Sequence, residues 1–164
     1  MLEHRSRTIV WGNPFAFVDA AKTKTGMERL EALLRGDVPK PPMAELVDIQ
    51  LVEIDRGRIV FSASPQEFHY NLGGVAHGGF ACTLLDSALG LAVTSLLPAG
   101  RSCTTLDLQV RFVRPLTCET GPVRCEAKVL HLGKTIGTAE ARIIDSAGRL
   151  CAHATTACAI LNEL

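Results

Sequence analysis

The stretch His77-Gly78-Gly79-Phe-Ala-Cys-Thr-Leu-Leu-Asp86-Ser-Ala-Leu-Gly-Leu-Ala-Val-Thr-Ser-Leu-Leu-Pro98 decides how the rest of the chain is read. Across residues 72–100, Asp86 is the single formally charged side chain. Residues 79–97 approach the roughly 20 apolar residues that suffice to span a bilayer. A carboxylate at a bilayer centre costs about 2.5–3.5 kcal/mol, and Thr83, Ser87, Thr94 and Ser95 add further polarity. The segment therefore reads as the buried helix of a soluble domain, opened by the Gly78-Gly79 pair and ended before Pro98, whose ring disfavours continuation.

Within it Ala81, Leu84, Leu85, Ala88, Ala92 and Leu96 recur at helical spacing, and Thr83, Asp86, Ser87, Gly90 and Thr94 form a narrow stripe of small or polar residues. A helix apolar over most of its circumference has to be enclosed. Asp86 is expected to lie desolvated inside that enclosure, at a cost of several kcal/mol unless it is paired, which marks it as a working group.

The flanking sequence supplies the enclosure, because it alternates with period 2. Val47, Ile49 and Leu51, then Ile59, Phe61 and Ala63, predict a hairpin turned at Asp55-Arg56-Gly57. After the helix, Thr104, Leu106, Leu108, Val110 and Phe112 alternate with Thr105, Asp107, Gln109 and Arg111 up to Arg114-Pro115. Three more strands are expected over residues 123–132, 135–145 and 150–161, with turns at Leu132-Gly133-Lys134 and at residues 145–148. The pattern is α+β, an antiparallel sheet of about five to six strands folded around one long helix.

Residues 1–42 read as an N-terminal extension ahead of a domain spanning residues 43–164. Thr25-Gly-Met-Glu28 fits a capping box, Met27, Leu30, Leu33 and Leu34 give one apolar face, and Gly36 offers a stop. The proline-rich linker Pro39-Lys-Pro-Pro-Met follows. The expectation is a short amphipathic helix packed as a cap on the sheet edge or on a neighbouring subunit.

Composition narrows the function. With 164 residues, 47% hydrophobic and 21% charged, the chain can bury a full core in a single compact domain. Its 17 basic and 17 acidic residues balance, so nothing argues for a nucleic-acid or membrane-surface partner. Six cysteines without C-x-x-C spacing, and no leader pattern at the start, suggest buried thiols in a reducing cytoplasm. The five histidines do not pair at ligand spacing, so no metal is expected.

The central segment can supply an anion or oxyanion site from free N–H groups at a helix start, a carboxylate acting as nucleophile or general base, and short polar side chains that hold a water. Asp86 lies about 12 Å along the axis from Gly78 at 1.5 Å per residue, too far for both to act on one bond within one chain. If both act on one bond, the carboxylate comes from a second copy, and the active unit is a dimer.

The string Asn71-x5-His77-Gly78-Gly79-x6-Asp86, followed by Thr104-Thr105-x-Asp107-x-x-Val110 and Arg114-Pro115, resembles the hotdog-fold acyl-CoA thioesterases of the phenylacetate-pathway (PaaI) type over about residues 43–161. The resemblance implies dimers, usually paired into homotetramers, with the active site at the dimer interface and no cofactor beyond the coenzyme A of the substrate. It implies Asp86 as nucleophile or general base and Gly78 N–H polarising the thioester carbonyl. It further implies His77 ordering the loop or the thioester end, Asn71 positioning substrate or water, and Thr104, on the Leu106 and Leu108 side, holding the water.

Gly79, Phe80, Tyr70 and Leu72, with Phe68, are expected near the acyl group because they adjoin the motif. Among Arg111, Arg114, Lys128 and Lys134, Arg114 and Lys134 are the candidates for the coenzyme A phosphates. Acyl-CoA and aryl-CoA, or an acyl carrier protein thioester, all fit. Two alternatives stay open: a hotdog enoyl-CoA hydratase or dehydratase using His77 and Asp86, and a non-enzymatic acyl-CoA sensor. No helix-turn-helix segment accompanies the latter.

Overall fold

The computed structural model describes residues 4–162. Helices α1 (Ala16–Asp19), α2 (Gly26–Arg35) and α3 (Pro42–Leu46) precede the hairpin β1 (Gln50–Asp55) and β2 (Arg58–Ala63). The long helix α4 (Gly78–Thr94) follows, then β3 (Arg101–Phe112), β4 (Val123–Leu132), β5 (Ile136–Ile144) and β6 (Leu150–Asn162). The six strands form one antiparallel sheet in the order β1-β2-β4-β5-β6-β3. Both the α+β reading and the central helix are as the sequence implied. No helix among the described residues is long and apolar enough to cross a membrane.

The sheet curls around α4, which packs across β2, β4, β5, β6 and β3. Small residues make this wrap possible: Ala127, Ala139, Ala141 and Ala154 are fully buried beneath the helix, opposite Leu84, Leu85 and Leu89. Charged side chains take the outer face, where Arg58 bridges Glu53, Asp55 and Glu126. Val47 and Ile49, expected in the first strand, are buried but precede it, because the chain turns through α3 before β1 begins.

The N-terminal segment packs into this same core rather than standing apart from it. The expected capping box is present, with Thr25 and Glu28 bonded reciprocally, and Gly36 ends α2 in the left-handed region at φ 81°. Leu30 is fully buried in the main core. Gly26 N–H donates to the Leu97 carbonyl at 2.9 Å, seating the start of α2 on the end of α4.

A Cβ at Gly26 would collide with the Thr94 carbonyl, which is backbone and cannot give way. Gly26→Ala is therefore expected to destabilise the protein by about 1–3 kcal/mol, as overpacking a fitted contact does, and urea titration followed by circular dichroism measures the loss.

His69 is a buried polar residue the sequence reading did not single out. Its Nδ1 accepts the Gln66 N–H at 3.0 Å, and its ring lies 4.2 Å from Phe68 and 4.5 Å from Phe80. Burial, with help from the nearby Arg7 charge, holds its pKa below the ordinary imidazole value. The unfolded chain then binds more protons than the native one below about pH 6.5, so stability contributed by neutral His69 is complete above that pH and falls as pH drops through it. Melting temperatures across this range are expected to show that slope, and a His69→Gln chain to lack it.

Candidate functional site

The site begins with a tight hairpin that delivers the chain to α4. Asn71 N–H donates to the Val75 carbonyl at 2.8 Å, and Asn71 Oδ1 accepts the Gly73 N–H at 2.8 Å. Gly74, at φ 74°, supplies the conformation that closes the turn. His77 N–H then donates to the His69 carbonyl at 2.8 Å. Asn71 is thus an exposed loop-shaping residue, with its side-chain oxygen already engaged.

His77 is the N-cap of α4, and its Nδ1 accepts the Gly79 N–H at 2.8 Å. In the neutral ring the proton therefore sits on Nε2, and the side chain is exposed at the edge of a cavity. Gly79 serves this cap: a Cβ there would come 2.9 Å from His77 Nδ1. With Gly79 N–H taken by the ring and Phe80 N–H bonded to the His77 carbonyl, Gly78 N–H takes no acceptor among the described residues.

That open donor lies at the positive end of a 17-residue helix, on a cavity of about 360 Å³. Arg114 lines the same cavity, with Phe112 and Leu116, and donates to the Leu150 carbonyl at 2.6 Å.

Asp86 stands elsewhere, on a second cavity of about 550 Å³ that shares no lining residue with the first. Thr105 Oγ1 donates to Asp86 Oδ1 at 2.8 Å, and Oδ2 takes no bond from the described residues. Ser87, Gly90 and Thr94 continue the polar stripe along the same wall. Asp86 is half-buried in the single chain, not desolvated as the sequence suggested, because this stripe of α4 is left uncovered by the chain's own sheet.

The partner of Asp86 is also one residue away from the expected one. Thr105 pairs with Cys158 and Asp107 with Ala157, so Leu106 is a bulge residue that reverses the alternation of β3. Before the bulge Cys103 and Thr105 face the helix, and after it Leu108 and Val110 do, whereas Thr104 is exposed and Leu106 is 58% exposed. Thr104 borders the cavity but makes no hydrogen bond through its side chain to Asp86. Phasing the strand on Leu106 and Leu108 therefore put Thr104 on the helix-facing side, where the bulge in fact places Thr105.

Cys103, on the same cavity, has its pKa drawn down by the Cys158 thiol and the Thr94 hydroxyl, while Cys158 is pushed up in return. Cys103 Sγ lies 3.4 Å from Thr94 Oγ1.

Several residues expected near the acyl group line neither cavity. Phe80 is core, 4% exposed, and packs on His69. Tyr70 Oη accepts the Cys118 N–H at 2.8 Å, Leu72 is fully exposed at the hairpin tip, and Phe68 lies under the Arg7 guanidinium at 4.0 Å. Nearness in sequence to the motif does not put them on either cavity of the single chain: Phe80 lies on the core-facing side of α4, and Leu72 is carried out to the hairpin tip. Lys134, in the β4–β5 turn, is exposed and likewise lines neither cavity, although its carbonyl accepts from Arg101 at 3.0 Å. Arg111 and Lys128 sit on exposed strand positions, Lys128 paired with Glu126 at 3.0 Å.

A long helix clasped by a six-stranded antiparallel sheet, with a capped His-Gly-Gly corner and a carboxylate two turns on, defines a recognisable class. The thioesterase superfamily profile matches residues 73–152. A Saccharolobus solfataricus protein provisionally named an esterase is 31% identical over 110 residues, covering 67% of this chain and 76% of that one. A Halobacterium salinarum protein, also provisionally named an esterase, is 39% identical over 84 residues, which are 50% of this chain and 54% of that relative, so the match spans about half its length. A solved structure from Ralstonia eutropha, provisionally described as a thioesterase related to phenylacetic acid degradation, superposes with TM-score 0.72 and 27% identity, over 79% of this chain and 97% of that one. This chain belongs to the thioesterase superfamily, with the hotdog fold and the features of its PaaI type.

Proposed function

We propose that this protein hydrolyses the thioester of acyl-CoA or aryl-CoA to the free acid and coenzyme A, working in the cytoplasm as a homodimer, itself paired into a homotetramer, without metal or cofactor. The observation that carries the reading is Asp86, held by Thr105 through one oxygen, with its other oxygen open on a largely apolar cavity. A carboxylate so placed can take the proton of a water attacking the thioester carbon, or attack that carbon itself. In the first case the C–S bond breaks and the leaving thiolate takes up the proton held by Asp86; in the second the thiolate leaves an acyl-aspartyl anhydride, which water hydrolyses to the free acid and the Asp86 carboxylate, its proton passing to the thiolate.

The developing oxyanion calls for a donor, and Gly78 N–H is open at a helix N-terminus. Within one chain the two groups lie about 12 Å apart along α4. Edge strand β3 favours a second copy as the source: it is 12 residues long, lies at the end of the sheet, and exposes Leu106 and Phe112. Arg114, on the Gly78 cavity, is the cation suited to a coenzyme A phosphate.

The hydratase reading would ask His77 for proton transfer through Nε2, since its Nδ1 is committed to the Gly79 N–H, and it differs from hydrolysis in releasing no thiol. A sensor would gain nothing from a carboxylate facing its apolar cavity. A thiol-release assay across acetyl-, phenylacetyl-, benzoyl- and longer acyl-CoAs tests the proposal: release from at least one is expected. Hydration of an enoyl-CoA without thiol release, or binding without turnover, contradicts it.

A further inference from the structure

The wall of the Asp86 cavity opposite α4 comes largely from residues that precede the family-matched segment. Val18, Leu34 and Met43 line it, and they are 42%, 45% and 50% exposed. These apolar side chains are not spent on the core. Leu30, one turn before Leu34 in α2, is fully buried and fixes the helix, and the Gly26 seat on α4 fixes its start. α2 thus holds Leu33 and Leu34 over the slot that runs along α4 from Asp86 past Gly90 to Thr94.

We infer that the segment around residues 17–44 is the acyl-selectivity element of this protein, an apolar wall suited to straight hydrocarbon chains of intermediate length. The inference rests on the proposed thioester hydrolysis. From Asp86 to Thr94 the slot is about 12 Å long at the helical rise. An extended chain advances about 3.5 Å per three bonds, so the slot holds a chain of about ten carbons. One side of the slot carries the polar stripe of α4 and the other is largely hydrocarbon, with Arg29, Lys40 and Gln50 also among its lining residues, and its volume of about 550 Å³ is that of a ligand site.

The test compares the wild type with a Leu34→Ala, Met43→Ala double variant and with Leu34→Trp, by thiol release over straight-chain acyl-CoAs from acetyl to palmitoyl. These positions are half-exposed, so the fold is expected to persist, which circular dichroism checks; Val18→Ala is the substitute for the double variant, and Val18→Trp for Leu34→Trp, should either fail to fold. The wild type is expected to peak near decanoyl-CoA. The double alanine variant should move the peak to longer chains, with kcat/KM for them rising about fourfold per added CH2 accommodated, and Leu34→Trp should move it to shorter ones.

Hydrolysis whose chain-length profile is unmoved by all variants overturns this inference while leaving the functional reading intact. A changed sedimentation coefficient with an unmoved profile overturns it likewise, since the wall would then be a contact between copies. No hydrolysis of any acyl-CoA by the wild type overturns both.

Discussion

Asp86→Asn is expected to lower the turnover of acyl-CoA thiol release by about 10²–10⁴-fold, the loss that follows removal of one well-placed acid or base. Asparagine keeps the shape, and its side-chain oxygen can still accept from the Thr105 hydroxyl that now lies 2.8 Å from the carboxylate. What disappears is the charge and the basic oxygen facing the cavity. Because Asp86 is half-buried and makes no ion pair among the described residues, folding should be little affected. KM should stay near the wild-type value, since the carboxylate acts on the reacting carbon rather than on the acyl body. Asp86→Ala should lose as much. Turnover kept in both variants, with circular dichroism unchanged, removes Asp86 from the reaction.

The second large effect is expected at Gly78. It is the first residue of α4, where proline is accommodated because its missing N–H has no intrahelical acceptor. His77, at φ −57° and ψ 141°, already has the extended conformation that a following proline requires. Gly78→Pro therefore deletes one N–H while leaving the helix in place.

Loss of one oxyanion donor typically costs about 10²–10³ in kcat, and that is the drop expected here. Gly78→Ala is the control. Its Cβ would lie 3.1 Å from Phe112 Cζ, at the far end of a ring that is 59% exposed and free to swing, and it retains the N–H. Comparable losses in both variants would point to crowding rather than to the donor.

The architecture was legible because its parts obey simple periods. The apolar run of α4 with a single carboxylate, the alternation of β4, β5 and β6, and the Thr25–Glu28 capping box each carry a local signal that tertiary packing did not override. The places of Gly78 at the start of α4 and of Asp86 on its polar stripe were also legible, through the motif and its spacing.

Three features were not. The bulge at Leu106 leaves no mark in an alternating apolar pattern, so the threonine that holds Asp86 could not be told from its neighbour. The N-terminal extension showed its helix but not its place on the cavity, because Leu33 and Leu34 look the same in sequence whether they fill a core or line a cavity. A half-exposed Asp86 stripe likewise belongs to a surface that one chain leaves open.

Subunit complementation tests the shared site most directly. Asp86→Asn and Gly78→Pro chains, each inactive alone, are mixed under conditions that exchange subunits, and thiol release is measured. If one copy supplies the carboxylate and its twin the N–H, each mixed dimer regains one intact site of two, and a statistical mixture recovers about a quarter of wild-type activity. If a single chain supplies both groups, every site in the mixture carries one lesion and no activity returns.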